Sequence, residues 1–270
     1  MDNNKVLFIS QEISPYLPDT PMSLQGRNLP QRIQEAGYEV RTFMPKYGCI
    51  NERRNQLHEV IRLSGMNIVI DDNDHPLIIK VATLQPTRMQ VYFIDNDDYF
   101  LRSGAKELET ATSPDDNDER MMFYTRGVIE TVRKLRWDPA VIQCTGWITA
   151  LMPMYIRRMY DEDPAMAGTK IVFALREEAF DGELAQRFVE KLRMAGFTDD
   201  DMQALGIDTP VDYASLMRLA MTYADGIVQA SENVDPQLIE FAKATGKPFL
   251  PYVADEAAMA DGCISFYNTL

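Results

Sequence analysis

The feature that most constrains this chain is an alternation of short apolar runs with segments of helical character. Apolar residues between these runs recur mainly at the three- and four-residue spacing of a helix with one buried face. Strands joined by helices favour a mostly parallel sheet with helices on both faces. We therefore predict a doubly wound α/β fold. The six predicted strands of this alternation are KVLFIS (5–10), YEVRTFM (38–44), AVIQC (140–144), KIVFAL (170–175), GIVQA (226–230) and FLPYV (249–253).

One stretch, from about Leu57 to Ile94, has a different character. Its β-rich runs NIVI, PLIIKVATL and MQVYFI are separated by the short polar segments DDNDH and QPTR. Such spacing predicts hairpins rather than helical crossovers. After an acidic segment, Met121, Tyr124 and Val128 fall on one face of a long predicted amphipathic helix.

Composition limits the function. The chain has 270 residues, a 46% hydrophobic share, a formal net charge of −14 and a sequence pI near 4.6. An acidic protein is poorly suited to nucleic acid or to an anionic membrane, since both are bound through Lys and Arg. We see no internal repeat, dividing linker, signal peptide or run of about 18 apolar residues. We expect one cytoplasmic domain over residues 1–270.

Few residues suggest metal or nucleophilic chemistry. Cys49, Cys144 and Cys263 match neither a CxxC pair nor a disulfide framework, so we interpret them as buried reduced thiols. The two histidines, His58 and His75, are interpreted as solvated side chains. The acidic clusters lack the spacing of a calcium loop. No metal and no cofactor are predicted.

Several segments in order, covering roughly residues 5 to 231, resemble one family: the bacterial glycogen synthases and plant starch synthases. These enzymes transfer glucose from ADP-glucose to an α-1,4-glucan. The resemblance implies a Rossmann-like domain, the N-terminal half of a two-domain GT-B glycosyltransferase, without the second domain. The resembling segments are KVLFISQEISP, GYEVRTFMPKYG, VYFIDNDDYFLRSG, DDNDERMMFYTRGVIE, WDPAVIQCTGWITALMPMYIRR, KIVFAL and LAMTYADGIVQAS.

The loop after the first strand departs from the family pattern. Glu12 matches the family's Glu, but the family's Lys-Thr-Gly-Gly becomes, in order, Pro18, Asp19, Thr20 and Pro21. Glycines let a backbone approach phosphate closely, whereas proline fixes φ and donates no N–H. The resemblance therefore implies that this loop has lost its sugar-nucleotide contacts.

Two further family motifs are also altered. Thr145 and Gly146 replace the first two residues of a His-Asp-Trp-His turn, of which only Trp147 remains. After KIVFAL, Arg176 stands at the family's active-site His and Glu177 at its Asn. Arg176 could bind an anion or pair with Glu12, and we favour the pair. We expect Gly146→Asp and Arg176→His to be tolerated, as changes at exposed loop ends.

Three functions remain open. The leading hypothesis is a catalytically silent relative, a pseudoenzyme that acts as a binding or regulatory protein. The alternatives are a transferase whose second domain comes from another chain, and an α-glucan-binding module using Tyr16, Tyr99 and Trp147. We also expect a protein partner or a second copy at the cleft face. That expectation rests on apolar replacements at Leu17, Pro18, Pro21, Met22, Leu24 and Ile148.

Overall fold

The structure, a computed structural model, describes residues 4–101, 116–180, 182–206 and 210–270. Part of the predicted acidic segment 115–119 lies outside these ranges. Within them the strands are β1 (Lys5–Ser10), β2 (Glu39–Pro45), β3 (His58–Glu59), β4 (Met66–Ile70), β5 (Asn73–Leu84), β6 (Met89–Asp95), β7 (Val141–Thr145), β8 (Lys170–Leu175), β9 (Gly226–Gln229) and β10 (Phe249–Leu250). The α-helices are α1 (Pro21–Glu35), α2 (Asp97–Phe100), α3 (Asn117–Leu135), α4 (Met152–Met159), α5 (Phe188–Met194), α6 (Tyr213–Tyr223), α7 (Pro236–Ala244) and α8 (Glu256–Tyr267).

The main sheet runs in the order β10-β9-β8-β7-β1-β2-β6-β5-β3. Strands β10 through β6 in that order pair in parallel, which confirms the doubly wound prediction. The chain moves from β1 to β2 on one side and later returns to β7 on the other side. The carboxyl ends of β1 and β7 therefore flank the topological switch point, where open α/β sheets bind their ligands.

The predicted hairpins are also confirmed. Strand β5 pairs antiparallel with β4 through Ile70 and Asn73, and with β6 through Leu84 and Met89. The predicted amphipathic helix is α3, which buries Met121, Tyr124 and Val128 against the sheet. None of the described helices combines the length and the apolar character needed to cross a bilayer.

Helix α1 begins at Pro21, eight residues before the predicted segment LPQRIQEAG. Thr20 is its N-cap and Pro21 takes the first helical position, which proline favours because no helical N–H bond is lost there. The helix therefore starts directly at the switch-point face of the sheet.

Two predictions about single side chains are wrong. Cys49 is exposed, whereas Cys144 and Cys263 are buried as expected. His75 is not a solvated imidazole, because its side chain is only 13% exposed and its Nε2 lies 2.9 Å from the Tyr99 hydroxyl. The tilted ring contact with Tyr99 helps to shield this ring from water.

Candidate functional site

The candidate site lies where β1, β7 and β8 end side by side. Ser10 pairs with Thr145, which pairs in turn with Ala174 on β8. The N–H of Gln11 donates to the Thr145 carbonyl at 3.1 Å, so the strand pairing continues one residue past β1. The hydroxyl of Tyr47 donates to the Gln11 carbonyl at 3.1 Å. These bonds fix the backbone from which the site's side chains project.

Gly146 turns the chain sharply after β7. Its φ of +93° is a conformation that side-chain-bearing residues rarely adopt. A Cβ at this position would lie 2.5 Å from the Gln11 Cβ, so no side chain fits. The structure contradicts the premise on which Gly146→Asp is expected to be tolerated, because the position is packed against Gln11 and does not open to water.

Glu178 is the acidic group at the centre of this site, and sequence reasoning missed it. Its carboxylate accepts a hydrogen bond from the Trp147 N–H and one from Gln11 Nε2 at 3.4 Å. Burial raises the pKa of Glu178 to about 7, an effect that Arg176 opposes and Glu12 reinforces. The site thus contains a carboxyl group that changes its charge near neutral pH.

Arg176 is 6% exposed and lies at the end of β8. Its Nη1 donates to the side-chain oxygen of Gln25 and to the Ala230 carbonyl, the latter at 3.2 Å. Within the described part of the chain, no carboxylate oxygen lies within 4.0 Å of its guanidinium nitrogens. The predicted ion pair with Glu12 is therefore wrong. Burial lowers the pKa of Arg176, while Glu178 and Glu12 act at longer range to raise it.

The loop between β1 and α1 is closed by its own hydrogen bonds. Thr20 Oγ1 accepts from the Ser23 N–H at 3.0 Å, and Ser23 Oγ accepts from the Thr20 N–H at 2.8 Å. Thr20 Oγ1 also donates to Glu12 Oε2 at 2.8 Å. The N-terminus of α1 is thus capped internally, with a buried carboxylate beside it.

The other predicted site residues lie around this centre and make hydrogen bonds within the surrounding loops. Glu177 is exposed, and its N–H donates to Ser231 Oγ at 2.6 Å. Asp19 is exposed and accepts from Ser14 Oγ at 2.7 Å. The Pro18 carbonyl accepts from Ser23 Oγ at 2.8 Å. These contacts shape the loops and leave Glu12, Glu178 and Arg176 as the site's charged groups.

The aromatic residues proposed for glucan binding do not form a stacking surface. Tyr16, Tyr99 and Trp147 are 8%, 3% and 2% exposed. Trp147 packs edge-on against Phe180, with ring centroids 5.6 Å apart. A sugar ring stacks only on an accessible aromatic face, so this part of the glucan hypothesis is contradicted.

The predicted apolar patch is also smaller than expected. Leu17, Met22 and Ile148 are buried in the core, because α1 and the turn after β7 fold over them. Leu24 is 37% exposed, and Pro18 and Pro21 are exposed. Of the predicted patch, the residues that remain exposed thus lie in the first turns of α1 and the loop before it.

The doubly wound sheet and its switch-point crevice define a Rossmann-like domain of the GT-B glycosyltransferase class. The fold resembles the catalytic domain of starch synthase IV from Arabidopsis thaliana, solved bound to ADP and acarbose. The TM-score is 0.71 at 16% identity, and the match covers 93% of this chain and 51% of that one.

Sequence comparison gives the family. Residues 5–246 match the sequence model of the starch synthase catalytic domain, and the chain belongs to this family. It is 34% identical to the glycogen synthase of Chlorobium luteolum over 191 residues, covering 70% of this chain and 39% of that protein. It is 29% identical to the glycogen synthase of Chlorobaculum tepidum over 261 residues, covering 96% of this chain and 51% of that protein. The chain thus spans about half the length of these relatives or less.

Proposed function

We propose that this chain is a starch-synthase-related domain that does not transfer glucose and acts instead by binding, as a regulatory or partner-binding protein. The observation that carries this proposal is the occupied N-terminus of α1. A helix N-terminus binds phosphate through unpaired N–H groups and a positive dipole end. Here the Thr20 hydroxyl accepts from the Ser23 N–H, Pro21 has no N–H, and Glu12 places a carboxylate against Thr20.

The positions of the altered family motifs support the same proposal. Thr145 ends β7 and Gly146 is packed against Gln11, so neither presents an acid or a base to the crevice. Arg176 cannot accept a proton at neutral pH, since a guanidinium remains protonated there. The site therefore lacks both the phosphate contacts and the imidazole groups that the family resemblance assigns to these places.

A binding role requires a surface, and we place it at the crevice face. Leu24 and the two exposed prolines of the loop before it form an apolar strip next to the switch point. The net charge of −14 would favour a basic surface on a protein partner during encounter. A second copy of the chain is the alternative occupant, and light scattering at micromolar concentration distinguishes the two.

Calorimetry with ADP-glucose at millimolar concentration tests the loss of nucleotide binding. We expect no heat beyond dilution from this chain, while a complete starch synthase with an intact Lys-Thr-Gly-Gly loop binds under the same conditions. The Glu12→Gln variant is the matched control for charge, since it keeps the Thr20 contact and removes the negative charge. A saturable isotherm for the unaltered chain would overturn the proposal.

A further inference from the structure

The strongest unassigned feature is a cavity of about 350 Å³ between α1 and α8. Its walls are largely apolar and include Leu24, Leu29, Val253 and Met259, while Arg176 lies among its lining residues. This volume is at the lower end of the range for small-molecule sites. Part of the wall, including Val253 and Met259, is formed by chain beyond residue 246, outside the family match.

The charges in this cavity are unequally compensated. At one end, Arg32 lies 3.7 Å from Glu256, which also accepts hydrogen bonds from Asn28 Nδ2 at 3.2 and 3.3 Å. Arg176 has only neutral oxygens as hydrogen-bond partners among the described residues, and all of them are on Nη1. Its Nε and Nη2 donors therefore have no protein acceptor in the described part of the chain.

We propose that this cavity binds a small organic carboxylate with an apolar body. The planar Nε and Nη2 edge of a guanidinium matches the two oxygens of a carboxylate. Gln25 fixes the guanidinium, because it accepts from Nη1 and its own Nε2 donates to the Ala230 carbonyl at 3.3 Å. The ligand's apolar body lies along Leu29 and Met259. This inference rests on the proposed binding role and adds a small-molecule site beside the proposed partner surface.

Benzoate and its neutral isostere benzamide test the inference on the full chain. We expect saturable millimolar binding of benzoate and about tenfold weaker binding of benzamide. Arg176→Met should weaken benzoate binding by about tenfold. The matched control is Arg32→Met, which also removes a cation from this cavity. Because Glu256 already pairs with Arg32, this variant should retain the benzoate affinity within about twofold.

Methionine-methyl NMR locates the ligand independently of any charge variant. Benzoate should shift the Met259 methyl signal and leave that of the exposed Met194 unchanged. Equal affinity for benzamide, an unshifted Met259 signal, or a larger loss in Arg32→Met than in Arg176→Met would each overturn the carboxylate site. The proposed loss of nucleotide binding is tested separately, because saturable ADP-glucose binding would contradict it whatever the result with benzoate.

Discussion

Two buried cations of this molecule differ in their partners: Lys191 contacts carboxylates, whereas Arg176 contacts neutral oxygens. Lys191 on α5 is 6% exposed, and its Nζ lies 2.8 Å from Asp118 and 2.6 Å from Glu119 in the first turn of α3. Arg176 is equally buried but has neutral oxygens in its hydrogen bonds. The pKa of Lys191, which burial alone would lower, is raised by its two carboxylates, whereas burial lowers the pKa of Arg176.

The difference separates a structural cation from one that is available to a ligand. The Lys191 cluster joins α5 to the first turn of α3 and satisfies its charge internally. Arg176 follows β8 beside the switch point, lines a cavity and has donors without an acceptor among the described residues. A buried charge of the second kind costs free energy of folding, so it marks a candidate site.

The largest expected effect comes from breaking the Lys191 cluster. Lys191→Met leaves the fully buried Asp118 without its cation and should lower the free energy of unfolding by about 3–5 kcal/mol. Chemical denaturation measures this loss. The exposed Lys243→Met is the control and should change stability by less than about 1 kcal/mol. A loss of under 1 kcal/mol for Lys191→Met would show that the cluster does not hold these helices together.

The stability of the turn at Gly146 is expected to require a residue without a side chain. Gly146→Ala should lower the free energy of unfolding by about 2–4 kcal/mol, because the φ is strained for alanine and its Cβ clashes with Gln11. Gly37 has a similar φ of +97° with nothing within 4 Å of its added Cβ. Gly37→Ala should therefore cost only about 1 kcal/mol in the same denaturation experiment. Equal losses for the two variants would exclude the clash with Gln11.

Glu178 should make stability depend on pH. Its pKa rises from an ordinary 4.5 to about 7 on folding, so its neutral form favours the folded state. The charged groups around it are Arg176 and Glu12, with Tyr213 also close by. The stability contribution is present below pH 4.5 and is lost as pH rises toward about 7, by at most about 1.4 kcal/mol per unit. Glu178→Gln should remove this slope, and parallel pH profiles for the two proteins would contradict the assignment.

The smallest stability effect is expected at Arg176 itself. Arg176→Met loses the bonds to Gln25 and Ala230, at roughly 1 kcal/mol each, and removes a buried charge whose desolvation opposes folding. We expect a net change within about 1 kcal/mol, measured beside Lys191→Met. A loss above 3 kcal/mol would make Arg176 a structural cation like Lys191 and would remove the basis of the comparison.

The sequence predicts the strands and hairpins well, because periodicity and turn residues report directly on local structure. The sequence prediction starts α1 too late, at Leu29, although Thr20 followed by Pro21 is a typical helix N-terminus. Glu178 could not be found in this way. Its environment depends on Gln11 after β1 and Trp147 after β7, which meet only when the sheet is assembled.

The positions of the altered family residues were predicted, but their surroundings were not. The sequence predicts an exposed loop position at Gly146, although Gln11 covers it. The apolar patch predicted at the cleft face includes Leu17 and Ile148, because the family has mainly glycine, polar or charged groups at the patch positions, although both residues are in the core. A substitution pattern shows which chemistry is lost, while burial depends on contacts that are distant in sequence.

The most direct test of the proposed lack of catalytic activity is a glucose-transfer assay in which the second domain is supplied by a separate chain. Labelled ADP-glucose and glycogen are incubated with this chain and the separately produced C-terminal half of a starch synthase. The positive control replaces this chain with that enzyme's own N-terminal half. We predict incorporation in the control and none with this chain, because the added half cannot supply the missing lysine and histidines. Glucose incorporation with this chain would contradict the account.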